Sequence, residues 1–263
     1  MHSRSPKIHN FWLEKHGLAG VYVPLAIKAD RLSAALRALP ALGFAGCNLT
    51  IPHKEAAFDI VDRVDPVAKR IGAINCVVVA ADGSLEGRNY DGFGYVASVR
   101  DARPEWRADA GPIAVIGAGG AARAVLVALA DQGAREIRLV NRTAARALAL
   151  AQEFAGPVAA VAWDDRHRAV EGAAMLVNTT SQGMAGQPAL DLALDKLPAA
   201  ALVSDIIYIP RETPLLAAAR QRGNRTVNGL GMLLHQARPA FHAWFGVMPE
   251  VTAELRAMIE ATI

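Results

Sequence analysis

One short turn limits what this chain can fold into more than any other feature. The apolar run Ile113–Ile116 leads into Gly117-Ala118-Gly119-Gly120-Ala121-Ala122, and an alanine-rich stretch follows to residue 132. An apolar strand, a glycine turn and a helix in that order match G-x-G-x-x-[G/A], the pattern of a dinucleotide-binding turn. The first glycine permits the tight turn. Gly119 lets the backbone approach a pyrophosphate, whose charge meets the helix N-terminus, and the small Ala122 lets the helix lie close to the strand. The competing reading is a strand–helix turn that holds nothing.

The following strand bears on which dinucleotide would fit. An NAD site usually places an Asp or Glu about 20 residues after the turn, on the ribose 2′-hydroxyl. This chain has Asn141-Arg142-Thr143 there, with Arg146 one helical turn later. Two guanidiniums suit a 2′-phosphate, which a carboxylate would repel. The pattern therefore favours NADP over NAD, unless Arg142 and Arg146 are only a solvated helix face.

Composition narrows the class. At 263 residues the chain has room for two domains or one large one, and it can bury a core without disulfide or metal staples. A 52% hydrophobic content, with 28 Lys and Arg against 25 Asp and Glu, excludes a disordered chain. No five like charges run together, so neither a nucleic-acid-binding arm nor an acidic tail is present. The two cysteines, Cys47 and Cys76, are too few for a disulfide framework or a Cys-rich zinc site, and no metal site is expected. The start, Met-His-Ser-Arg-Ser-Pro, lacks the apolar stretch of a signal peptide. Residues 113–130 are apolar, but Arg123 and the glycines interrupt them as a membrane span. A cytoplasmic protein with no nucleic-acid or membrane partner is expected.

Two regions read differently. Over residues 1–100, strand-like and helix-like segments alternate: a strand at 21–25, a helix at 30–39 capped by Asp30, and a strand at 47–51 with Pro52 opening a helix. A hairpin at 74–80 and 84–88 turns on Ala81-Asp82-Gly83, and Asp91 starts another helix. Residues 100–111 are the linker candidate. Beyond them, strands at Ile113–Ile116, 136–140, 158–163, 175–177 and 202–207 are spaced by helices, including Ala144–Phe154. That alternation predicts a parallel sheet covered on both faces. After Gly229 the chain reads as helical, broken at 246–249.

Several polar turns in the first region carry candidate chemistry. In Asn48-Leu49-Thr50-Ile51-Pro52-His53-Lys54, Lys54 stands in the first turn of a helix, where a lysine is usually just solvated. It could also donate a proton or stabilise an oxyanion. Asp91, in Asn89-Tyr90-Asp91-Gly92, could orient Lys54 or simply cap the following helix. Gly72-Ala73-Ile74-Asn75 is a further polar turn. Ser3 and Ser5, ahead of Pro6, are two hydroxyls close enough to bind a carboxylate.

Taken in order, His2-Ser3-Arg4-Ser5-Pro6, the four stretches around Lys54, Asn75, Asp91 and Gly117, and Asn141-Arg142-Thr143 resemble the shikimate dehydrogenase family. So do Asn178-Thr179-Thr180-Ser181-Gln182-Gly183-Met184, Asp205-Ile206-Ile207-Tyr208 and Gly229-Leu230-Gly231-Met232-Leu233-Leu234-His235-Gln236. The resemblance runs from residue 2 to about 250. It implies an α/β architecture: a substrate domain at 1–100 completed by helices at 235–263, and a Rossmann-like NADP domain with a parallel sheet at 101–234. The activity it implies is NADPH-dependent reduction of 3-dehydroshikimate to shikimate, a step toward chorismate and the aromatic amino acids, in a monomer or homodimer.

The resemblance also implies roles. Lys54 and Asp91 would be the catalytic pair. Ser3 and Ser5 would bind the substrate carboxylate, while Thr50, Asn75, Asp91 and Gln236 would read the ring oxygens and Tyr208 would touch the substrate. Gly117, Ala118, Gly119, Gly120, Ala121, Asn141, Arg142, Thr143, Arg146 and Thr179 would hold NADP. Ile206, Gly229 and Met232 would line its nicotinamide. Three features depart from the family pattern. Cys76 and Tyr90 stand where threonines are usual, and Tyr90 is large enough to reshape the pocket. Met1 directly precedes His2, so a usual first strand of about ten residues is expected to be missing, leaving the two serines on a frayed end. Alternatives are a paralogue acting on quinate or an amino-substituted relative, and a non-catalytic NADP-binding sensor.

Overall fold

A computed structural model describes residues 3–263. His2, the first residue of the serine-bearing stretch, lies outside the described residues. The chain divides into two compact units. One comprises the residues up to Gly94 together with Leu233–Thr262, and the other is Tyr95–Met232. Both dividing points fall inside helices, Asp91–Ala102 and Leu230–Phe245, and not in the polar stretch 100–111. The reason is packing: Tyr95 and Val99 are buried with Ile113, Val115 and Leu126 in the core of the second unit.

The first unit opens with helix α1 (Ser5–Lys15), which Pro6 starts, since a proline fits the first helical turn. A single 3₁₀ turn and helix α2 (Leu32–Ala38) follow. Next come strand β1 (Gly46–Asn48), the short helix α3 (His53–Ala56), strand β2 (Arg63–Val64), helix α4 (Pro66–Ile71), and strands β3 (Cys76–Val79) and β4 (Leu85–Arg88). Helix α4 is well delimited. The Asp65 side chain accepts from Ala68 N at 2.5 Å, and Gly72 ends it in the left-handed conformation at φ 70°. The sheet order is β1-β3-β4-β2. Its β1/β3 and β3/β4 pairs are antiparallel and β2/β4 is parallel. Leu32, Leu36, Leu39, Ala57, Ile74, Val77 and Leu85 form the core beneath it.

Two expectations for this unit are corrected. Residues 21–25 form no strand. They pair with no other backbone among the described residues, and Val21 and Leu25 are 70% and 56% exposed. The β-branched alternation was there, but a strand also needs a partner edge. Asp30 caps no helix. It lies inside the 3₁₀ turn and pairs loosely with Arg31 at 3.5 Å.

Helix α5 (Asp91–Ala102) leads to the second unit. It alternates β5 (Ile113–Ile116), α6 (Gly120–Asp131), β6 (Ile137–Val140), α7 (Ala144–Phe154), β7 (Val158–Val161), α8 (Arg166–Ala169), β8 (Met175–Asn178), β9 (Leu202–Asp205), α9 (Pro214–Gln221) and β10 (Arg225–Val227). All six strands are parallel, in the order β10-β9-β8-β5-β6-β7. Alternate residues of β5 feed two cores. Ile113 and Val115 pack with Val125, Leu126 and Leu129, while Ala114 and Ile116 pack with Ala169, Leu215 and Ala219. Both faces are thus covered, which is why β5 reads as a continuous apolar run. The chain ends with α10 (Leu230–Phe245) and α11 (Ala253–Glu260). Among the described residues no helix is long and apolar enough to cross a membrane.

One titratable group lies deep in the first unit. His9 is fully buried among Trp12, Tyr22, Phe241 and Trp244, and burial pushes its pKa from 6.5 down to about 3, the Asn48 side chain opposing only in part. The folded state therefore keeps His9 neutral where the unfolded chain takes up a proton. Stability from this group is complete above pH 6.5 and is lost as pH falls toward 3. Denaturant titrations followed by tryptophan fluorescence should show wild type losing about 2 kcal/mol more than His9→Phe between about pH 7 and pH 5. Equal losses in both proteins would contradict a neutral buried His9.

Candidate active site

The first unit gathers a buried polar cluster at the ends of β1, β3 and β4. Helix α3 follows β1 through the turn Leu49–Pro52, which places Lys54 beside the start of α5. There Lys54 Nζ donates to Asp91 Oδ2 at 2.5 Å, with the side chains only 16% and 6% exposed. Asp91 is the first residue of α5, where the helix N-terminus favours a carboxylate. Its backbone N–H donates to Asn89 Oδ1 at 3.0 Å, and Asn89 Nδ2 donates in turn to the Ala73 carbonyl at 2.8 Å. Asp91 thus holds the lysine rather than capping the helix: it stands inside the first turn of α5, and its carboxylate accepts from Lys54 and Asn75.

Asn75, just before β3, joins the remaining members. Its Nδ2 donates to Asp91 Oδ1 at 2.8 Å and, more weakly, to Gln236 Oε1 at 3.4 Å, while its Oδ1 accepts from Tyr90 N at 2.9 Å. Lys54, Asn75, Asp91 and Gln236 are therefore brought together by direct hydrogen bonds. Thr50 is exposed on the turn between β1 and α3. Ser3 and Ser5 are neighbours, with Ser5 N donating to Ser3 Oγ at 3.3 Å. They do not sit on a frayed end: Arg4 between them donates to the Thr262 carbonyl, and Ile8 N donates to the Arg4 carbonyl as α1 begins. The cluster brings one cation, one carboxylate and several amide groups within hydrogen-bond reach of one another.

The two departures from the family pattern also have positions here. Tyr90 is half-buried, and its hydroxyl accepts from Arg88 Nη1 at 3.2 Å, while Arg88 also donates to Glu86 at 2.8 Å. Its ring is thus tied to the β4 side chains. Cys76 is buried and Cys47 partly so, and both are free thiols. Burial pushes the Cys47 pKa up to about 12 and raises that of Cys76 as well, which leaves little nucleophilic thiolate at neutral pH.

In the second unit the chain runs from β5 to β7 on one side and from β8 to β10 on the other. Ligands of such sheets bind where the strand order reverses, here outside the ends of β5 and β8. Gly117 and Thr179 meet at that point. Thr179 donates through N and Oγ1 to the Ile116 carbonyl, both at 2.8 Å. Gly117 has φ 114°, and a Cβ there would stand 2.5 Å from Thr179 Oγ1. Gly119 differs: nothing lies within 4 Å of where its Cβ would be, and no side chain caps the helix it starts. An open space over free helix N–H groups, flanked by Ala118, Gly120 and Ala121, fits a pyrophosphate.

Arg142 and Arg146 are exposed at the end of β6 and the start of α7, next to Thr143. Asn141 shapes this turn by donating to the Thr143 carbonyl at 2.9 Å. Ile206, Gly229 and Met232 line one small pocket with Tyr95, Ser98 and Asn228. Gly229 is required there, because a Cβ would fall 1.9 Å from the Ile206 carbonyl oxygen. Tyr208 is half-buried after β9 and belongs to this unit.

Other residues support the site but were not singled out from the sequence. Asn48 Nδ2 donates to the Asn75 carbonyl at 3.1 Å, and Tyr22 Oη donates to Asn48 Oδ1 at 3.0 Å. Asp205 Oδ1 accepts from Asn178 Nδ2 at 3.2 Å and from Ile207 N at 3.0 Å, while its Oδ2 accepts from Thr213 Oγ1 at 2.8 Å. These bonds fix the loops after β8 and β9, although burial raises the Asp205 pKa. Asn48, Asn178 and Asp205 all stand in the polar stretches quoted above. Tyr22 carries no local signal.

Comparison with known proteins matches three family models. The shikimate dehydrogenase substrate binding domain covers residues 1–77, shikimate / quinate 5-dehydrogenase covers 105–207, and the shikimate 5′-dehydrogenase C-terminal domain covers 229–259. The chain is 55% identical over 258 residues to a shikimate dehydrogenase (NADP(+)) of Paramagnetospirillum magneticum, covering 98% of this chain and 94% of that one. It is similar to the crystal structure of a Thermus thermophilus shikimate 5-dehydrogenase in complex with NADP(H) and shikimate. That similarity has a TM-score of 0.89 and 35% identity over 100% of this chain and 95% of the other. Quinate dehydrogenase from Corynebacterium glutamicum in complex with NAD is similar at TM-score 0.90 and 31% identity, over 98% and 94%.

Proposed function

The chain belongs to the shikimate dehydrogenase family, and from that premise we propose that it interconverts 3-dehydroshikimate and shikimate with NADP as its cofactor. The observation that carries this reading is the shielded Lys54–Asp91 pair with Asn75 and Gln236 around it. Bound NADPH supplies the hydride that reduces the ketone, and NADP⁺ accepts it in the reverse direction.

The chain's own residues handle the charge and the proton. As the ketone carbon is reduced, its oxygen becomes an alkoxide. The Lys54 ammonium, held by Asp91, stabilises that oxygen and gives it a proton. In the reverse direction Lys54 takes the hydroxyl proton. Thr50, Asn75, Asp91 and Gln236 are assigned to the ring oxygens, Ser3 and Ser5 to the carboxylate, and Tyr208 to a further substrate contact. A site built to pair each oxygen rejects analogues that leave its buried amides unsatisfied.

For the cofactor, residues 117–121 would hold the pyrophosphate, Asn141, Arg142, Thr143 and Arg146 the 2′-phosphate end, and Ile206, Gly229 and Met232 the nicotinamide, with Thr179 lying along the cofactor. The open space at Gly119 and the two exposed arginines support this assignment.

Initial rates of NADP reduction with shikimate and with quinate test the reading. A higher kcat/KM with shikimate is expected. The opposite order would make the chain a quinate enzyme, and no turnover with either would favour a nucleotide-binding sensor. Lys54→Ala should lower kcat about 10²- to 10⁴-fold and leave the KM for NADP nearly unchanged. A kcat near that of wild type would remove Lys54 from the reaction. Arg142→Ala should weaken NADP about 10- to 100-fold, the worth of one charge-assisted hydrogen bond, and NAD far less. Equal losses for both cofactors would refute the phosphate assignment.

A further inference from the structure

Residues 19–28 have no regular secondary structure, and Val21, Val23 and Leu25 are exposed. Tyr22 is held firmly among them. The Asn10 side chain grips its backbone on both sides: Tyr22 N donates to Asn10 Oδ1 at 2.7 Å, and Asn10 Nδ2 donates to the Tyr22 carbonyl at 3.0 Å. Its ring stacks on His9 at 4.4 Å and 7°, with Trp244 at 6.0 Å. A loop residue fixed at its backbone and at its ring has a hydroxyl with one available position.

That hydroxyl starts a row of hydrogen bonds with a single sense. Asp91 can only accept, so Asn75 must turn its Nδ2 toward it, leaving Asn75 Oδ1 for Tyr90 N. The Asn75 carbonyl can also only accept. It takes Leu49 N at 2.9 Å and Asn48 Nδ2 at 3.1 Å, which turns Asn48 Oδ1 toward Tyr22. Tyr22 must then donate, and burial, which pushes its pKa up, keeps the phenol protonated. Every member of this row lies in the first unit.

We propose that Tyr22 is a positioning residue for the reaction: its hydroxyl orients Asn48, and Asn48 through Asn75 holds Asp91 where it presents Lys54. The proposal rests on the shikimate dehydrogenase reading above. Tyr22 touches neither substrate nor cofactor in this scheme, so its effect belongs in kcat, and the double mutant isolates the part that passes through Asn48 from any that passes through the neighbouring Ser5 side chain.

The test is a double-mutant cycle of Tyr22→Phe and Asn48→Ala, read as kcat with shikimate, KM for NADP, and Tm. Tyr22→Phe keeps the ring stack and the Asn10 contacts, so Tm should stay near that of wild type. Its kcat should fall about 2- to 10-fold, the range for one net hydrogen bond, with the KM for NADP unchanged. In the Asn48→Ala background the same substitution should lower kcat no further, because coupled residues are non-additive. An unchanged kcat in Tyr22→Phe overturns the proposal, and so does an equal fold-loss in both backgrounds. Wild type that fails to oxidise shikimate refutes the functional reading and the proposal with it, whereas active wild type with an unaffected Tyr22→Phe refutes the proposal alone.

Discussion

Asp91 presents its carboxylate at 6% exposure, and a charge that far from water must be matched on its lone pairs or it destabilises the fold. Lys54 takes one oxygen, Asn75 the other, and the N-terminus of α5 adds its partial positive charge. Each partner then makes demands of its own. Asn75 has to face Asp91 with its amide nitrogen, which sets the turn into β3. Asn89 has to hold the Asp91 backbone, and it anchors on Ala73. Lys54 must leave α3 toward α5, which sets the path of the turn after β1. The first unit is thus organised around the removal of one carboxylate from water, and the chemistry assigned to Lys54 uses the same pair.

The second unit depends on close backbone approach. Gly117 sits against Thr179, and Gly229 sits against the Ile206 carbonyl, each too close for any side chain. These two contacts bring together the loops after β5, β8, β9 and β10. Gly119 lacks such a neighbour, so packing within the chain does not require its smallness, and the space above it is the one the proposed function gives to the pyrophosphate. Packing thus accounts for Gly117 and Gly229 but not for Gly119, and no pattern of glycines in a sequence can make that distinction.

Much of this was legible beforehand, for physical reasons. The strand–turn–helix at Gly117 was clear because a fully buried parallel strand is apolar throughout and the turn needs glycine. The hairpin of β3 and β4 was clear because Asp82-Gly83 separates the β-branched run at 77–79 from the alternating run Leu85–Arg88. Helix α7 spans Ala144–Phe154, as its composition suggests. Lys54, Asp91 and Asn75 stood in polar turns at element ends, where α/β folds expose functional groups. Residues 21–25 misled because alternation reports a preference for extended backbone and not the presence of a partner edge. The two-residue β2 and the three-residue β10 are too short to show any period. Tyr22 was invisible because its role comes from Asn10, His9 and Asn48, which are 12, 13 and 26 residues away in the chain.

The sequence alone determined the alternation of strands and helices from β5 onward in outline, the glycine turn, the arginines at the end of β6 and the candidate groups able to move a proton. These are local properties: periodicity, backbone permissiveness and side-chain charge are written residue by residue. Only the tertiary structure decided that Lys54 and Asp91, 37 residues apart, join in one shielded hydrogen bond, and that Asn75 reaches across 161 residues to Gln236. It also decided that the division into units falls inside α5 and α10 and not at the polar stretch. Those outcomes follow from burial, because a charge or an amide withdrawn from water takes whichever partner the packing delivers, however distant in the chain.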